Sequence, residues 1–419
     1  MRVLYTIAIY LYTLVIRLAA LFGHRNARLM ARGWRQGKRS LPDSQSEKTV
    51  WFHAASLGEF EQARPVLEGF RERHPDHRVL LTFFSPSGYE VRKNYELADI
   101  VRYLPMDTPR NVRRFLDTYR PTIVFFVKYE FWFNYLDELK KRGITTYIFS
   151  AIFREDQYFF KWYGRWFLNQ LKRCFSFFFV QNAISMQSLQ YLGDIDECMI
   201  TGDTRFDRVH QIAEAAERNG VVEAFLDGHD GKTLVAGSTW PPDEALIRQL
   251  AADNKRLKVI LAPHVISEEH LQQIEKNFPD SIRYSVLKDL KESKDLKDTQ
   301  VLIIDNIGLL SQLYRYATVA YIGGGFGVGI HNILEAVTFG KPVLFGPNYR
   351  KFQEAHDIIA CGGGWSHRTY DELLDHLTPL LEDTKSYEKA SQACKDYMGR
   401  KIGGTRKILT HVDEFFGEE

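Results

Sequence analysis

The chain has 419 residues, of which 45% are hydrophobic, 14% aromatic and 26% charged; this is about two to three average domains and excludes a disordered or low-complexity protein. A formal net charge of +2 gives no whole-chain case for nucleic acid. Cys174, Cys198, Cys361 and Cys394 are scattered without a CxxC, which fits a reducing compartment and offers neither a disulfide framework nor a zinc pattern.

The first element, VLYTIAIYLYTLVIRLAALF from Val3 to Phe22, is apolar except for Arg17. As a helix it is about 30 Å long, enough to cross a bilayer on length alone, although Arg17 is costly near a bilayer centre. Arg25, Arg28, Arg32, Arg35, Lys38 and Arg39 follow without an acidic residue, matching a cytoplasmic flank beside anionic lipid. Residues 1–39 are therefore expected to form an anchor, spanning or interfacial, with the body in the cytoplasm. The alternative is the buried first helix of a soluble protein. With an anchor, loss of residues 1–22 should weaken membrane attachment more than folding.

Short β-rich runs then alternate with helical ones. Strands are expected at Thr49 to Ala54, Arg78 to Phe84, Ile100 to Pro105, Pro121 to Val127, Thr145 to Ala151 and Ser176 to Gln181. A second series covers Lys232 to Ser238, Leu257 to His264, Val301 to Asn306, Thr318 to Gly325 and Lys341 to Pro347. Uninterrupted apolar strands separated by helices predict parallel sheets covered on both faces. The fold class is α/β, two doubly wound domains facing across a cleft. The domains fall at 40–210 and 211–385, followed by a helical segment over 386–419 for which a return to the first domain is one option. The charged run at 288 to 300 reads as an exposed excursion.

In HAASLGE, Ser56, Gly58 and Glu59 sit where a strand turns into a helix. Glu59 suits a helix start, and it also suits a base that takes a proton from a hydroxyl; Glu61 is a weaker rival. In VKYEFWFN, Lys128 and Glu130 fall at the sheet edge, suited to an acidic substrate or a sugar hydroxyl, with a capped helix as the plainer alternative. Trp132 reads as packing.

In GSTWPPDE, Ser238 and Thr239 end a strand, and in APH, Pro263 and His264 do the same. Hydroxyls there bind phosphate or cap a helix. The segment GGGFGVGIHNILE places Gly323, Gly324, Gly325 and Gly327 before a helix opening near His331 or Asn332, with Glu335 in its first turns. Glycines admit close backbone approach, and a helix start offers N–H groups to an anion. A tight connection without a ligand is the alternative, and no metal cluster is apparent.

These segments, with TGDTRFD at 201 to 207 and GKPVLFGPNYRKFQEA at 340 to 355, resemble the Kdo (3-deoxy-D-manno-octulosonic acid) transferases of lipopolysaccharide inner-core synthesis over almost the whole chain. The resemblance implies the GT-B architecture, two Rossmann-like domains, and inverting transfer of Kdo from CMP-Kdo to the 6′-hydroxyl of the lipid A precursor (lipid IVA). It implies no cofactor or metal, inner-membrane phospholipids as neighbours, and a place on the cytoplasmic face of the inner membrane. Glu59 takes the role of general base, with Ser56, Gly58, Lys128 and Glu130 on the acceptor side. Ser238, Thr239, Pro263, His264, Gly323, Gly324, Gly325, Gly327, Asn332 and Glu335 fall on the donor side, Glu335 toward the ribose. The chain departs from the family where Ala262 precedes Pro263 and His264 in place of a PRHPE-like run, where Lys128 takes an acidic position, where Phe133 replaces proline, and where VGIHN replaces GGHN. These departures mark a divergent branch. The alternatives are another GT-B nucleotide-sugar transferase or a membrane-associated nucleotide-sugar binding protein.

Overall fold

A computed structural model describes residues 2–36, 48–154, 157, 164–190, 197–290 and 296–417. Lys38, Arg39 and residues 291–295 of the charged run lie outside them, as does the side chain of Arg35. The chain divides into two compact units, Met1–Arg208 with Ile402–Glu419, and Val209–Lys401.

In unit 1, β1 (Thr49–Ala54), β2 (Arg78–Phe83), β3 (Ile100–Tyr103), β4 (Pro121–Val127), β5 (Thr145–Ala151), β6 (Phe177–Val180) and β7 (Cys198–Ile200) form a parallel sheet in the order β3-β2-β1-β4-β5-β6-β7. Alternation along β1 sends Val50, Phe52 and Ala54 into one apolar cluster and Trp51 into the other, so both faces are covered. In unit 2, β8 (Thr233–Thr239), β9 (Lys258–Pro263), β10 (Ser281–Arg283), β11 (Val301–Ile303), β12 (Val319–Ile322), β13 (Val343–Phe345) and β14 (Gly364–Ser366) take the order β10-β11-β9-β8-β12-β13-β14. The winding direction reverses between β1 and β4 in the first sheet and between β8 and β12 in the second. In open α/β sheets, ligands bind beyond the carboxyl ends of the strands at such points.

The segment expected at 386–419 is divided. The helix Thr384–Lys401 belongs to unit 2, whereas Gly404–Gly417 packs Ile408, Leu409 and Val412 into the core of unit 1. The chain leaves unit 1 after Arg208, close to the boundary expected at 210, and Asp207 ties the returning chain to that exit. Its carboxylate accepts from the Gly403 and Thr405 amides at 2.6 and 2.7 Å and from the Thr405 hydroxyl at 2.8 Å. Much of TGDTRFD is thus spent on holding unit 1 together.

Arg2–Leu21 is a single helix with Thr13 alone buried among its residues. That excludes the buried first helix of a soluble core. Its body-facing stripe is polar: Arg2 pairs with Asp137 at 2.5 Å, and the Tyr5 hydroxyl donates to Asp107 at 2.7 Å. Midway along, Tyr12 stacks on Phe84 with ring centroids 6.4 Å apart. Its outward stripe, Val3, Ile7, Leu11, Leu14, Leu18 and Leu21, is apolar and exposed, the reverse of a helix covering a soluble core. The helix Arg25–Gln36 follows, burying Ala27 and Met30 and exposing Arg25, Arg28 and Arg32.

Candidate functional site

In unit 1, Ser56 is the N-cap of the helix Leu57–Arg73, but its hydroxyl donates to Glu59 Oε2 at 2.8 Å instead of accepting a backbone N–H. The usual reciprocal cap is replaced by one bond that orients the Glu59 carboxylate. Glu59 is half-buried and Gly58 exposed. A Cβ at Gly58 would meet only Ser56 Oγ at 3.9 Å, so packing does not demand glycine there.

Lys128 follows the last residue of β4 in the left-handed region, φ 59°, and its amide donates to the Phe149 carbonyl at 3.0 Å. A non-glycine residue held there carries strain of about 1–3 kcal/mol, a feature concentrated at functional sites. Because β4 is the middle strand of the sheet, Lys128 and Glu130 stand at a carboxyl end and not at the expected sheet edge.

Glu130 ends a hydrogen-bonded chain. The Trp51 indole donates to Thr82 Oγ1 at 2.7 Å, and that hydroxyl lies 2.9 Å from His53 Nδ1. His53 Nε2 lies 3.3 Å from Glu130 Oε2 and 3.1 Å from the Trp132 indole nitrogen. The Trp132 indole donates to the same oxygen at 2.7 Å, so Trp132 is a ligand of the carboxylate as well as a packing residue. His53 is fully buried. A histidine inside an apolar strand was the available signal, since a buried polar ring needs partners. Which partners it finds depends on residues far along the chain.

In unit 2, Ser238 occupies a bulge between Gly237 and Thr239 with φ 53°. Thr239 is fully buried and its hydroxyl donates to Glu244 Oε1 at 3.2 Å; the same oxygen meets His270 Nε2 at 3.0 Å. Thr239 and Pro263 are both buried. His264 is exposed and stacks between Trp240 and His331, with ring centroids 4.7 and 4.6 Å away. The Trp240 indole donates to His331 Nε2 at 3.3 Å, which leaves the His331 proton on Nδ1. Burial, with His264 second, holds the His331 pKa below the usual histidine range.

The glycine run serves the protein's own backbone. A Cβ at Gly323 would collide with the Ser238 carbonyl, one at Gly325 would lie 2.5 Å from the Gly346 nitrogen, and Gly324 has φ 90°. Gly327 is different: it is exposed, and a Cβ there meets nothing within 4 Å. Asp243, in the first turn of the helix Pro241–Asp253, holds this loop. Its buried carboxylate accepts from the Gly324 amide and the Trp240 amide, both at 2.9 Å, and from the Tyr321 hydroxyl at 3.1 Å. Burial pushes its pKa up.

The expected helix opening at His331 or Asn332 begins instead at Leu334 and runs one turn, Leu334–Val337. Its dipole is correspondingly small. Asn332 spends its side chain locally, accepting from the Leu334 amide at 3.2 Å and donating to Glu335 Oε1 at 3.1 Å. Exposed or half-exposed groups left at the β8/β12 switch point are Ser238, His264, Gly327, Asn332 and Glu335. Among the described residues no three His, Cys, Asp or Glu side chains gather as metal ligands.

A family model described as 3-Deoxy-D-manno-octulosonic-acid transferase (kdotransferase) matches residues 27–208. The 3-deoxy-D-manno-octulosonic acid transferase of Rickettsia prowazekii (strain Madrid E) is 28% identical over 364 residues, covering 85% of this chain and 76% of its own. That of Aquifex aeolicus (strain VF5) is 26% identical over 368 residues, covering 86% and 93%. Among solved structures, the UDP-GlcNAc 2-epimerase from Neisseria meningitidis bound to UDP-GlcNAc superposes with a TM-score of 0.60 at 16% identity, covering 87% of this chain and 98% of that one. A glycosyltransferase from Rickettsia africae ESF-5 gives 0.56 at 13%, covering 89% and 100%. At these identities the structures speak for the fold, which is GT-B-like with two Rossmann-like lobes. The family model over residues 27–208 and the run of sequence relatives at 26–28% identity make the chain similar to the Kdo transferases, as a divergent relative.

Proposed function

We propose that this GT-B glycosyltransferase moves Kdo from CMP-Kdo to the 6′-hydroxyl of lipid IVA, with Glu59 as the general base. The observation that carries the reading is the Ser56–Glu59 pair, a half-buried carboxylate at the carboxyl end of a switch-point strand, held through one oxygen. The hydroxyl proton of the acceptor passes to Glu59 as the acceptor oxygen bonds to the anomeric carbon of Kdo. The bond from that carbon to the phosphate oxygen breaks on the opposite face, and its electron pair leaves with CMP. One carboxylate suffices for such an inverting displacement, because the nucleotide is already the leaving group. Glu130, fixed by His53 and Trp132, orients the acceptor or the base, and Lys128 suits an acidic acceptor. In unit 2, His264, Ser238 and Asn332 suit the donor phosphate, and Glu335 the ribose hydroxyls. Incubation with CMP-Kdo and lipid IVA, followed by product mass, tests the assignment. Product from a UDP-sugar and none from CMP-Kdo overturns it in favour of another nucleotide-sugar transferase, and CMP-Kdo binding without any product favours a binding protein.

The N-terminal helix is read as lying on the cytoplasmic face of the inner membrane. A helix fastened to the body at Arg2 and Tyr5, and stacked on it again at Tyr12, has its polar side occupied and its apolar side free for acyl chains. Exposed Arg25, Arg28 and Arg32 suit lipid phosphates. Replacing Leu11 and Leu14 by Glu should abolish sedimentation with anionic vesicles, and retained sedimentation would sink this placement.

A further inference from the structure

The helix Phe133–Lys141 begins just after Glu130 and Trp132, yet its N-cap residue, Trp132, makes no side-chain cap bond. Its opening N–H groups are satisfied from elsewhere. The Phe133 amide donates to the Tyr5 hydroxyl at 3.3 Å, the Asn134 amide to Asp107 Oδ2 at 3.0 Å, and the Tyr135 amide to Asp107 Oδ1 at 2.9 Å. Tyr5 in turn donates to Asp107 Oδ2 at 2.7 Å and sets its ring edge against Phe133 at 5.7 Å. Arg2 closes on Asp137 one turn further along the same helix. The first turn of the N-terminal helix thus supplies part of the cap that the sequence around Trp132 lacks.

We propose that the N-terminal helix is part of the acceptor side as well as an anchor. Tyr5 and Arg2 are positioning residues that hold the turn carrying Glu130 and Trp132, so seating the helix on a lipid surface orders that turn. The proposal rests on reading Glu130 as acceptor-side. It also adds to the expectation that losing residues 1–22 weakens membrane attachment more than folding, since that loss strips Asp107 of its tyrosine. Linkage makes the effect reciprocal: whatever a lipid surface contributes to holding the helix, it contributes to holding the turn.

The test is amide hydrogen exchange of the segment containing Asn134 and Tyr135 in the full chain, with and without vesicles of phosphatidylethanolamine and phosphatidylglycerol. Tyr5→Phe keeps the ring and removes the hydroxyl. It should speed exchange at these amides about tenfold, the scale of one buried hydrogen bond, and leave the strands of unit 2 unchanged. Adding Arg2→Ala should speed exchange further. Vesicles should slow the same amides in the unsubstituted protein and have less effect in Tyr5→Phe. Unchanged exchange in both variants overturns the positioning role, uniform acceleration across both units reduces it to general stability, and indifference to vesicles overturns the lipid linkage. In transfer assays Tyr5→Phe should raise KM for lipid IVA several-fold, on the scale of one such bond, and leave KM for CMP-Kdo unchanged; an equal rise in both contradicts the proposal. Absence of transfer by the unsubstituted protein would refute the proposed function, while the exchange measurements would still decide the role of the helix.

Discussion

In unit 1 the buried Asp107 accepts two backbone N–H groups and a tyrosine hydroxyl, and in unit 2 the buried Asp243 does the same. Each holds the chain just after a switch-point strand. The difference lies in where the tyrosine comes from. Tyr321 belongs to β12 in the centre of its own sheet, whereas Tyr5 belongs to a helix whose other side is bare and apolar. The turn after β12 is therefore fixed by the core that folds it, and the turn after β4 depends in part on a helix whose other side is exposed. The carboxylates left over differ too. Unit 1 keeps Glu59 and Glu130 half-exposed at the strand ends, suited to a hydroxyl that must lose a proton, whereas in unit 2 Asp243 and Glu244 are buried and occupied with scaffolding and Glu335 is half-exposed with its carboxylate bonded to Asn332.

The largest expected effect is chemical and falls in unit 1. Glu59→Gln should lower turnover about 10²- to 10⁴-fold while leaving CMP-Kdo binding intact, measured as product formation beside calorimetric donor binding. Near-normal turnover would remove the division of labour between the units. Asp243→Ala should act on stability: it leaves the Gly324 amide, the Trp240 amide and the Tyr321 hydroxyl without their acceptor, at a cost of about 2–3 kcal/mol in urea unfolding. If Asp243→Ala unfolds like the unsubstituted protein, the glycine loop is held by its own packing instead.

The two aspartates also show where sequence reading ends. The central strands were legible to within one to three residues because each is an apolar run buried on both faces. β7, β10 and β14 escaped because each is a three-residue edge strand with half-exposed positions and no such run. Ser56 and Glu59 were legible because their partnership is local, three residues apart. Asp107 and Tyr5 are 102 residues apart, and Asp243 and Gly324 are 81 apart, so nothing in either neighbourhood announces the bond. Thr239 differs, since its partner Glu244 is only five residues on and its hydroxyl follows a bulge at Ser238.

Asp107 gives a pH test that separates the two turns. Burial, opposed by the Tyr5 and backbone hydrogen bonds, raises its pKa from 3.8 to about 6. The folded state then binds the proton more tightly than the unfolded chain. The Asp107 contribution to stability is full below about pH 4 and is lost as pH rises to about 6. Its size is about 2–3 kcal/mol. The difference in unfolding free energy between the unsubstituted protein and Asp107→Asn should change by that amount across this window and level off above it. A flat difference would mean that the Tyr5 and amide hydrogen bonds offset burial completely.

The smallest expected effect distinguishes the two tryptophans. Trp132 shares its N–H between a carboxylate, Glu130, and an imidazole, His53, whereas Trp240 gives its N–H to an imidazole alone, His331, with no acid at the contact. Trp240→Phe keeps an aromatic ring against His264 and removes the donor that occupies His331 Nε2. That nitrogen then becomes free to take a proton, so the titration midpoint of His331 should move up. Burial and His264 still hold it down, so it should stay below the usual histidine range. The added positive charge stands beside the exposed groups expected to meet a phosphate, and donor affinity should therefore strengthen more steeply with falling pH in the variant than in the unsubstituted protein. Nitrogen-15 chemical shifts of the imidazoles across pH 4 to 8 read this directly. An unmoved His331 midpoint would show that the indole N–H does not fix its tautomer, and His264 and His331 would then be held by stacking alone.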